Sequence, residues 1–194
     1  MLSESPAARA LLFQYGSNMS EKRLTDKIRE HQSYAPVGAE LDIRLLGCAR
    51  LKGWRFVLDL YSARQACLVG DIVEGEDGDE VWGALYELDR QLVIRSDGER
   101  SVLDRIEGHR TETDPENYRP ITVTVELDGN PREAHTYVGG DDARRRCRVD
   151  HPDAKPRPDY LQAILDGADA VGLPSRYMAA LATTIEAQAR CSPG

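Results

Sequence analysis

The chain has 194 residues, 41% of them hydrophobic, which is enough for a packed core and too much for a disordered chain. This length predicts a single domain over residues 1–194, with a core of about 10–190 and short flexible termini. The 33 acidic and 25 basic residues give a net charge of −8, which argues against nucleic acid as the main partner because phosphate-binding surfaces are basic.

The sequence also indicates a compartment. No segment has the run of about 18 apolar residues that spans a membrane, and the N-terminus lacks the pattern of a secretory signal. No C-x-x-C pair occurs, so we expect free thiols in a reducing compartment at all four cysteines, Cys48, Cys67, Cys147 and Cys191. We therefore expect a soluble, cytoplasmic protein.

The first half of the chain reads as a strand, a helix and further strands. Residues 10–13 are apolar and predict a buried strand that ends at a glycine turn. Leu24 and Ile28 lie four apart among charged residues and predict a helix of about three turns, whose N-cap candidates are Ser17, Asn18 and Ser20. Alternation predicts a strand over residues 54–60, and a continuous apolar run predicts another over residues 66–73.

Turn composition predicts how these strands connect. Residues 74–80 have turn composition, so we expect a hairpin loop that joins the strand 66–73 to a partner strand over residues 81–88. A short helix follows, with a C-terminal cap at Gly108 and an apolar stripe of Val102, Leu103 and Ile106.

The second half predicts a hairpin, a loop and two helices. Residues 121–127 and 134–138 alternate around a turn at 128–130 and predict the hairpin. Residues 139–158 are charged and lack an apolar period, so we expect a loop. Pro158 suits the start of a helix that stops at Gly167, and Pro174 suits the start of the last helix. The order predicts an α+β fold whose sheet curls into a barrel.

Several common kinds of site are not supported by the residue spacing. No serine lies in G-x-S-x-G, and the glycines around Gly16 match neither nucleotide-binding glycine motif. The histidines lack metal-ligand spacing, so we expect no metal site and ordinary roles for His31, His109, His135 and His151.

The turn that follows the first strand is one candidate site. It consists of Tyr15, Gly16, Ser17, Asn18 and Met19. One interpretation is a simple turn followed by a helix cap. The other is that Gly16 lets backbone amides converge at a helix N-terminus without a Cβ in the way, with a positive φ if the turn needs one. This makes a small anion site suited to a carboxylate.

Glu107 is the second candidate. It follows Ile106 at the end of the predicted short helix, where the macrodipole disfavours negative charge. Most glutamates in such a place are exposed and idle. If the carboxylate instead points into an apolar pocket, desolvation and the dipole raise its pKa, as a general base working near pH 7 requires.

An ordered set of motifs resembles the γ-glutamylcyclotransferase family from about residue 13 to 181. The motifs are Y-G-S-N-M at 15–19 with Arg23, A-R-L-K-G-W at 49–54, V-W-G-A-L-Y-E-L at 81–88, L-D-R-I-E-G at 103–108, a strand from Tyr118, T-Y-V at 136–138, and the C-terminal signature at 160–168 and 172–177. No single motif is diagnostic, whereas their order is.

The resemblance implies a small mixed β-barrel flanked by helices, with no cofactor. The family reaction is the attack of the α-amine of a γ-glutamyl group on its own γ-carbonyl, which releases 5-oxoproline and an amine or amino acid. By position Glu107 is the acid/base residue, and substrate binding falls to Tyr15, Gly16, Ser17, Asn18, Met19 and Tyr118. The implied partner is a small γ-glutamyl compound, without nucleic acid or membrane, and the implied state is a monomer or homodimer.

Within the family, the Y-G-S-N wording resembles the branch that acts on γ-glutamyl amino acids. The stretches 111–117 and 141–158 look expanded and put the leaving group in question. Alternatives are a tailoring enzyme that removes a γ-glutamyl group from a larger amine or antibiotic intermediate, and a non-catalytic metabolite-binding protein. The basic cluster of Arg144, Arg145, Arg146 and Arg148 is interpreted either as a solvated loop or as a rim that favours acidic leaving groups, and only distantly as a nucleic-acid contact.

Overall fold

A computed structural model describes residues 8–31, 41–94, 99–108 and 118–190. The strands in this part are β1 (Arg9–Gln14), β2 (Arg44–Lys52), β3 (Trp54–Ser62), β4 (Cys67–Glu74), β5 (Glu80–Asp89), β6 (Tyr118–Leu127) and β7 (Asn130–Gly139). The helices are α1 (Glu21–Glu30), α2 (Arg90–Val93), α3 (Val102–Ile106), α4 (Asp141–Asp150), α5 (Pro158–Val171) and α6 (Ser175–Arg190).

Five strands form a closed barrel in the order β1-β5-β2-β6-β7. All neighbours are antiparallel except β1 and β7, which close the barrel in parallel through Leu12 and His135. The hairpin β6–β7 follows the predicted alternation, and its turn residues Asp128 and Gly129 have φ of 50° and 77°, as a two-residue hairpin loop requires. The predicted α+β fold with a small mixed barrel is therefore confirmed.

The strands β3 and β4 pair outside the barrel. Their register runs from Trp54 opposite Glu74 to Ser62 opposite Cys67, while β5 lies between β1 and β2. The prediction that residues 74–80 form a hairpin loop between β4 and β5 is wrong, because these strands do not pair. Turn composition predicts where the chain turns, but it does not predict whether the strands on either side of the turn pair with each other.

Helix α4 is the second difference from the predicted elements, because residues 139–158 were expected to form a loop. Ala143 and Cys147, one turn apart, are buried on its inner face. Between them Arg144 donates hydrogen bonds from Nε at 3.0 Å and Nη2 at 2.5 Å to Oδ2 of Asp71, which is fully buried. The inner face of α4 is therefore held in part by an ion pair, which leaves no apolar period in the sequence. The prediction of a solvated loop at Arg144 is wrong.

The predicted end of α5 at Gly167 is also wrong, since the helix continues to Val171 and ends at Gly172, whose φ is 75°. A Cβ atom at position 167 would lie 3.2 Å from Cβ of Met19 and 3.2 Å from the amide nitrogen of Ser20. Gly167 therefore permits close approach between α5 and the turn after β1. The glycine that sequence reading took as a stop is a packing residue.

Side chains from the barrel and the helices share one core. Leu12, Phe13, Leu85 and Tyr86 are fully buried in the barrel strands, and Leu24 and Ile28 of α1 join them. Cys48, Cys67 and Cys147 are free thiols, whereas Cys191 lies outside the described residues. No helix in the described part of the chain is long and apolar enough to cross a membrane.

Candidate active site

A cavity of about 810 Å³ opens beside one end of the barrel. Its walls come from the end of β1 and the turn after it, one face of α1, the end of α3, the start of β6 and the turn between β3 and β4. Both candidate sites of the sequence, the turn at 15–19 and Glu107, meet in this one cavity although they are far apart in the chain.

Glu107 is the C-cap residue of α3, and the helix position is set at its other end by a capping box between Ser101 and Asp104. Gly108 follows with a φ of 75°, as its predicted capping role requires. The side-chain amide of Asn18 donates a hydrogen bond of 2.9 Å to Oε1 of Glu107. The carboxylate is therefore held at the cavity wall by the turn that follows β1.

Burial raises the pKa of Glu107 above its ordinary value. Three groups act in the opposite direction and lower that pKa: the charge of Lys27 and hydrogen bonds with Asn18 and Gln14. Glu107 nevertheless keeps partial exposure to the cavity. A carboxyl group with a raised pKa and access to a ligand is a stronger base than an ordinary carboxylate and is suited to accept and return a proton.

Of the three predicted N-cap candidates of α1, Ser20 is confirmed by position, and Ser17 and Asn18 have other roles. Ser20 occupies the N-cap position of α1, and its side chain makes no capping hydrogen bond. The hydroxyl of Ser17 instead forms a hydrogen bond with Tyr160, and the amide of Asn18 donates to Glu107. Ser17 and Asn18 therefore form hydrogen bonds with other residues that line the cavity.

Gly16 does not have a positive φ, so the turn does not need the left-handed backbone that glycine permits. Its carbonyl accepts a hydrogen bond of 3.1 Å from the amide of Met19, which closes the turn. No heavy atom lies within 4 Å of the position that a Cβ atom would take. Gly16 therefore leaves open space at the cavity wall, and backbone strain does not explain it.

Met19 differs from the other predicted substrate-binding residues. It is fully buried and does not line the cavity. Its carbonyl oxygen accepts a hydrogen bond of 2.6 Å from the hydroxyl of Tyr86, and its amide is used by Gly16. Met19 anchors the turn to the core, so its predicted contact with the substrate is wrong.

Tyrosines form one wall of the cavity. The hydroxyl of Tyr15 donates a 2.6 Å hydrogen bond to the carbonyl oxygen of Tyr137. The hydroxyl of Tyr118 donates to the carbonyl oxygen of Gly70, and the Gly70 amide donates a 2.7 Å hydrogen bond to the hydroxyl of Tyr160. Burial raises the pKa of Tyr15 and of Tyr118 well above 10, so both hydroxyls stay protonated and cannot act as bases at neutral pH.

Sequence reading missed three polar residues of the site. Gln14 ends β1 beside Glu107, and Arg23 and Lys27 lie one turn apart on α1. A signal for the α1 residues was present, because positions 20, 23, 27 and 30 recur at helical spacing beside the apolar stripe of Leu24 and Ile28, and all four line the cavity. Polar periodicity of this kind is easily read as an exposed face.

The alternative interpretation of the cluster Arg144, Arg145, Arg146 and Arg148 as a rim of the substrate site finds no support in the cavity lining. Of the stretch 141–158, Arg157 lines the cavity and these four arginines do not. The other stretch that looked expanded, 111–117, lies outside the described residues. Within the described ranges, no three His, Cys, Asp or Glu side chains are grouped as metal ligands would be.

Comparisons with solved structures show the fold. An uncharacterized protein from Homo sapiens, LOC79017, is 22% identical with a TM-score of 0.64, over 90% of this chain and 86% of its own. A protein described as γ-glutamyl cyclotransferase is 22% identical with a TM-score of 0.61, over 90% and 87%. YkqA from Bacillus subtilis is 21% identical with a TM-score of 0.65, over 94% of this chain and 56% of its own.

A search of curated protein sequences found no significant match. Residues 80–181, more than half of the chain, match the AIG2-like family. This segment includes Glu107, Tyr118 and three of the five barrel strands, β5, β6 and β7. Sequence and architecture agree, and the chain belongs to the AIG2-like family, with a γ-glutamylcyclotransferase-like fold.

Proposed function

We propose that the protein is a cyclotransferase that converts a γ-glutamyl group into 5-oxoproline and releases the attached amino acid or amine. The observation that carries the proposal is the carboxylate of Glu107. It combines a raised pKa, access to the cavity and a hydrogen bond of 2.9 Å from Asn18. A fold shared with a protein described as γ-glutamyl cyclotransferase supports the same reaction.

In this mechanism Glu107 takes a proton from the α-ammonium group of the substrate. The free amine attacks the γ-carbonyl carbon, a C–N bond forms within the glutamyl group, and the bond from that carbon to the leaving nitrogen breaks. Protonated Glu107 then returns its proton to the leaving nitrogen, and the second proton lost by the attacking nitrogen passes to the released amine, which is an ammonium group at neutral pH. Because nucleophile and electrophile belong to one molecule, holding the substrate folded supplies much of the proximity effect.

Substrate positioning in this proposal falls to the turn after β1. Amides of residues 15–18 would hold the α-carboxylate of the glutamyl group or its polarised carbonyl. The Met19 amide is excluded because it already donates to Gly16. The protonated hydroxyls of Tyr15 and Tyr118 would form a neutral surface against the glutamyl chain, since both already donate their proton to a backbone carbonyl.

The test is incubation of the purified chain with γ-glutamyl amino acids, glutathione and γ-glutamylamines, with 5-oxoproline as the readout. We expect release of 5-oxoproline together with an equal amount of the leaving amine. Glu107→Gln should abolish it, and Glu76→Gln, a matched change on an exposed loop, should not. Tight binding of these compounds by the wild-type chain with no 5-oxoproline would instead favour a metabolite-binding protein.

A further inference from the structure

The cavity carries a positive charge that the rest of the chain does not share. Its described lining includes six basic side chains and three acidic ones, in a chain whose net charge is −8. The basic residues come from separate elements: Lys22, Arg23 and Lys27 from α1, Arg64 from the β3–β4 turn, Arg105 from α3 and Arg157 from the residue before α5. Convergence of like charges from several elements is unfavourable unless an anion enters the cavity.

Several of these charges are already neutralised. Lys22 forms an ion pair with Asp26 at 2.6 Å, and Arg64 lies 3.5 Å from Glu30. Arg157 forms an ion pair of 2.5 Å with Asp159. These pairs are exposed, so water screens their charges and they would hold a ligand only weakly.

Arg23 and Lys27 are different, because neither makes a salt bridge to a described residue. Nε of Arg23 is buried and has no hydrogen-bond partner among the residues that the structure describes. Like charges one helical turn apart destabilise a helix. Burial lowers the pKa of Lys27, and the Arg23 charge acts in the same direction. A bound anion would supply the missing acceptor and relieve this repulsion.

The place of these two residues decides which part of a substrate they would meet. Lys27 interacts electrostatically with Glu107, which in the proposed reaction protonates the leaving nitrogen. Glu107 also accepts the proton of the α-ammonium group, so its position alone does not separate the two ends of the substrate. Where the turn after β1 holds the α-carboxylate of the glutamyl group, the groups on the leaving nitrogen are the ones that reach Lys27 and Arg23.

We propose that Arg23 and Lys27 form a subsite for an acidic leaving group, so that the protein acts best on γ-glutamyl compounds whose leaving amino acid has a carboxylate side chain. This inference rests on the proposed cyclotransferase reaction. The basic cluster of α4 is not part of this subsite, because none of its four arginines lines the cavity and Arg144 binds Asp71 instead.

The test compares γ-glutamyl-aspartate with γ-glutamyl-asparagine, which differ in charge and hardly in shape. We expect kcat/KM for the aspartate compound to be about tenfold higher, because a charged hydrogen bond is roughly twice as strong as a neutral one. The preference should shrink as salt is added. Equal kcat/KM for the two compounds would overturn the subsite.

A matched pair of variants locates the effect. Arg23→Gln should lower kcat/KM for the aspartate compound about tenfold more than kcat/KM for the asparagine compound. Arg29→Gln removes the same charge from an exposed position of α1 that does not line the cavity, and should leave both unchanged. An equal loss on both compounds in Arg23→Gln would overturn the subsite while leaving the cyclotransferase in place, whereas no 5-oxoproline from either compound would overturn both proposals.

Discussion

The side-chain amide of Asn18 lies 2.9 Å from Oε1 of Glu107 and joins two segments that are 89 residues apart in sequence. One partner belongs to the turn after β1, and the other caps α3. The contact orients the carboxylate toward the cavity and stabilises its charged form against the cost of burial. A proton-transfer group is thereby placed beside the turn that is proposed to hold the substrate.

Glu107→Gln should lower kcat for 5-oxoproline formation by about 10²–10⁴-fold or more, because an amide of the same shape cannot transfer the proton. Circular dichroism and substrate affinity should stay near wild type. Residual activity within a few-fold of wild type would remove Glu107 from the proposed mechanism.

Asn18→Leu should move the acidic limb of the pH profile of kcat/KM to higher pH. The hydrogen bond from Asn18 lowers the pKa of Glu107, so its loss raises that pKa and the base is ionised only at higher pH. Gln162→Leu is the control, since Gln162 donates a 2.7 Å hydrogen bond to Asp166 on the exposed face of α5. An acidic limb that stays in place or moves to lower pH would contradict the assignment.

Gly16→Val should reduce kcat/KM by about tenfold or more and leave the melting temperature close to wild type. The site next to Gly16 is open and its φ is not positive, so a side chain there occupies cavity space without strain in the fold. Ser17→Ala should cost less activity. Gly83→Ala is a control with the opposite expected result, a lower melting temperature, because its Cβ would overlap the carbonyl oxygen of Gln14 and destabilise the barrel. A large loss of stability in Gly16→Val would show that the turn needs glycine for folding.

Arg144→Met should destabilise the protein by about 3–5 kcal/mol, since it leaves Asp71 buried without its counter-charge. Arg145→Met removes an exposed partner of Asp142 at 2.9 Å and should cost less than about 1 kcal/mol. Urea unfolding measures both. Burial raises the pKa of Asp71, so the deficit of Arg144→Met should shrink as pH falls and this carboxyl group is protonated. Equal costs for the two variants would contradict a structural role for Arg144.

These results show which features could be predicted from sequence. Strands with alternating residues and helices with an apolar stripe, such as β6 and α1, follow from local periodicity. Helix α4 could not be found in this way, because Arg144 takes the place of an apolar residue and its partner Asp71 is 73 residues away. The pairing of β5 with β1 and β2 is likewise a long-range property.

The same distinction applies to the site. Glu107 and the turn at 15–19 stand out from residue chemistry and motif order, whereas their contact through Asn18 is visible only in the fold. Gln14 has no distinctive local pattern, and the helical spacing of Arg23 and Lys27 does not separate a cavity wall from an ordinary charged face in solvent. Their role depends on the cavity that α1 borders.

The most direct test of the central claim is the product balance of the wild-type chain with a γ-glutamyl amino acid. We predict one 5-oxoproline for each amino acid released and no free glutamate, because the attacking amine belongs to the substrate. Free glutamate in place of 5-oxoproline would show that water is the nucleophile and would contradict the account.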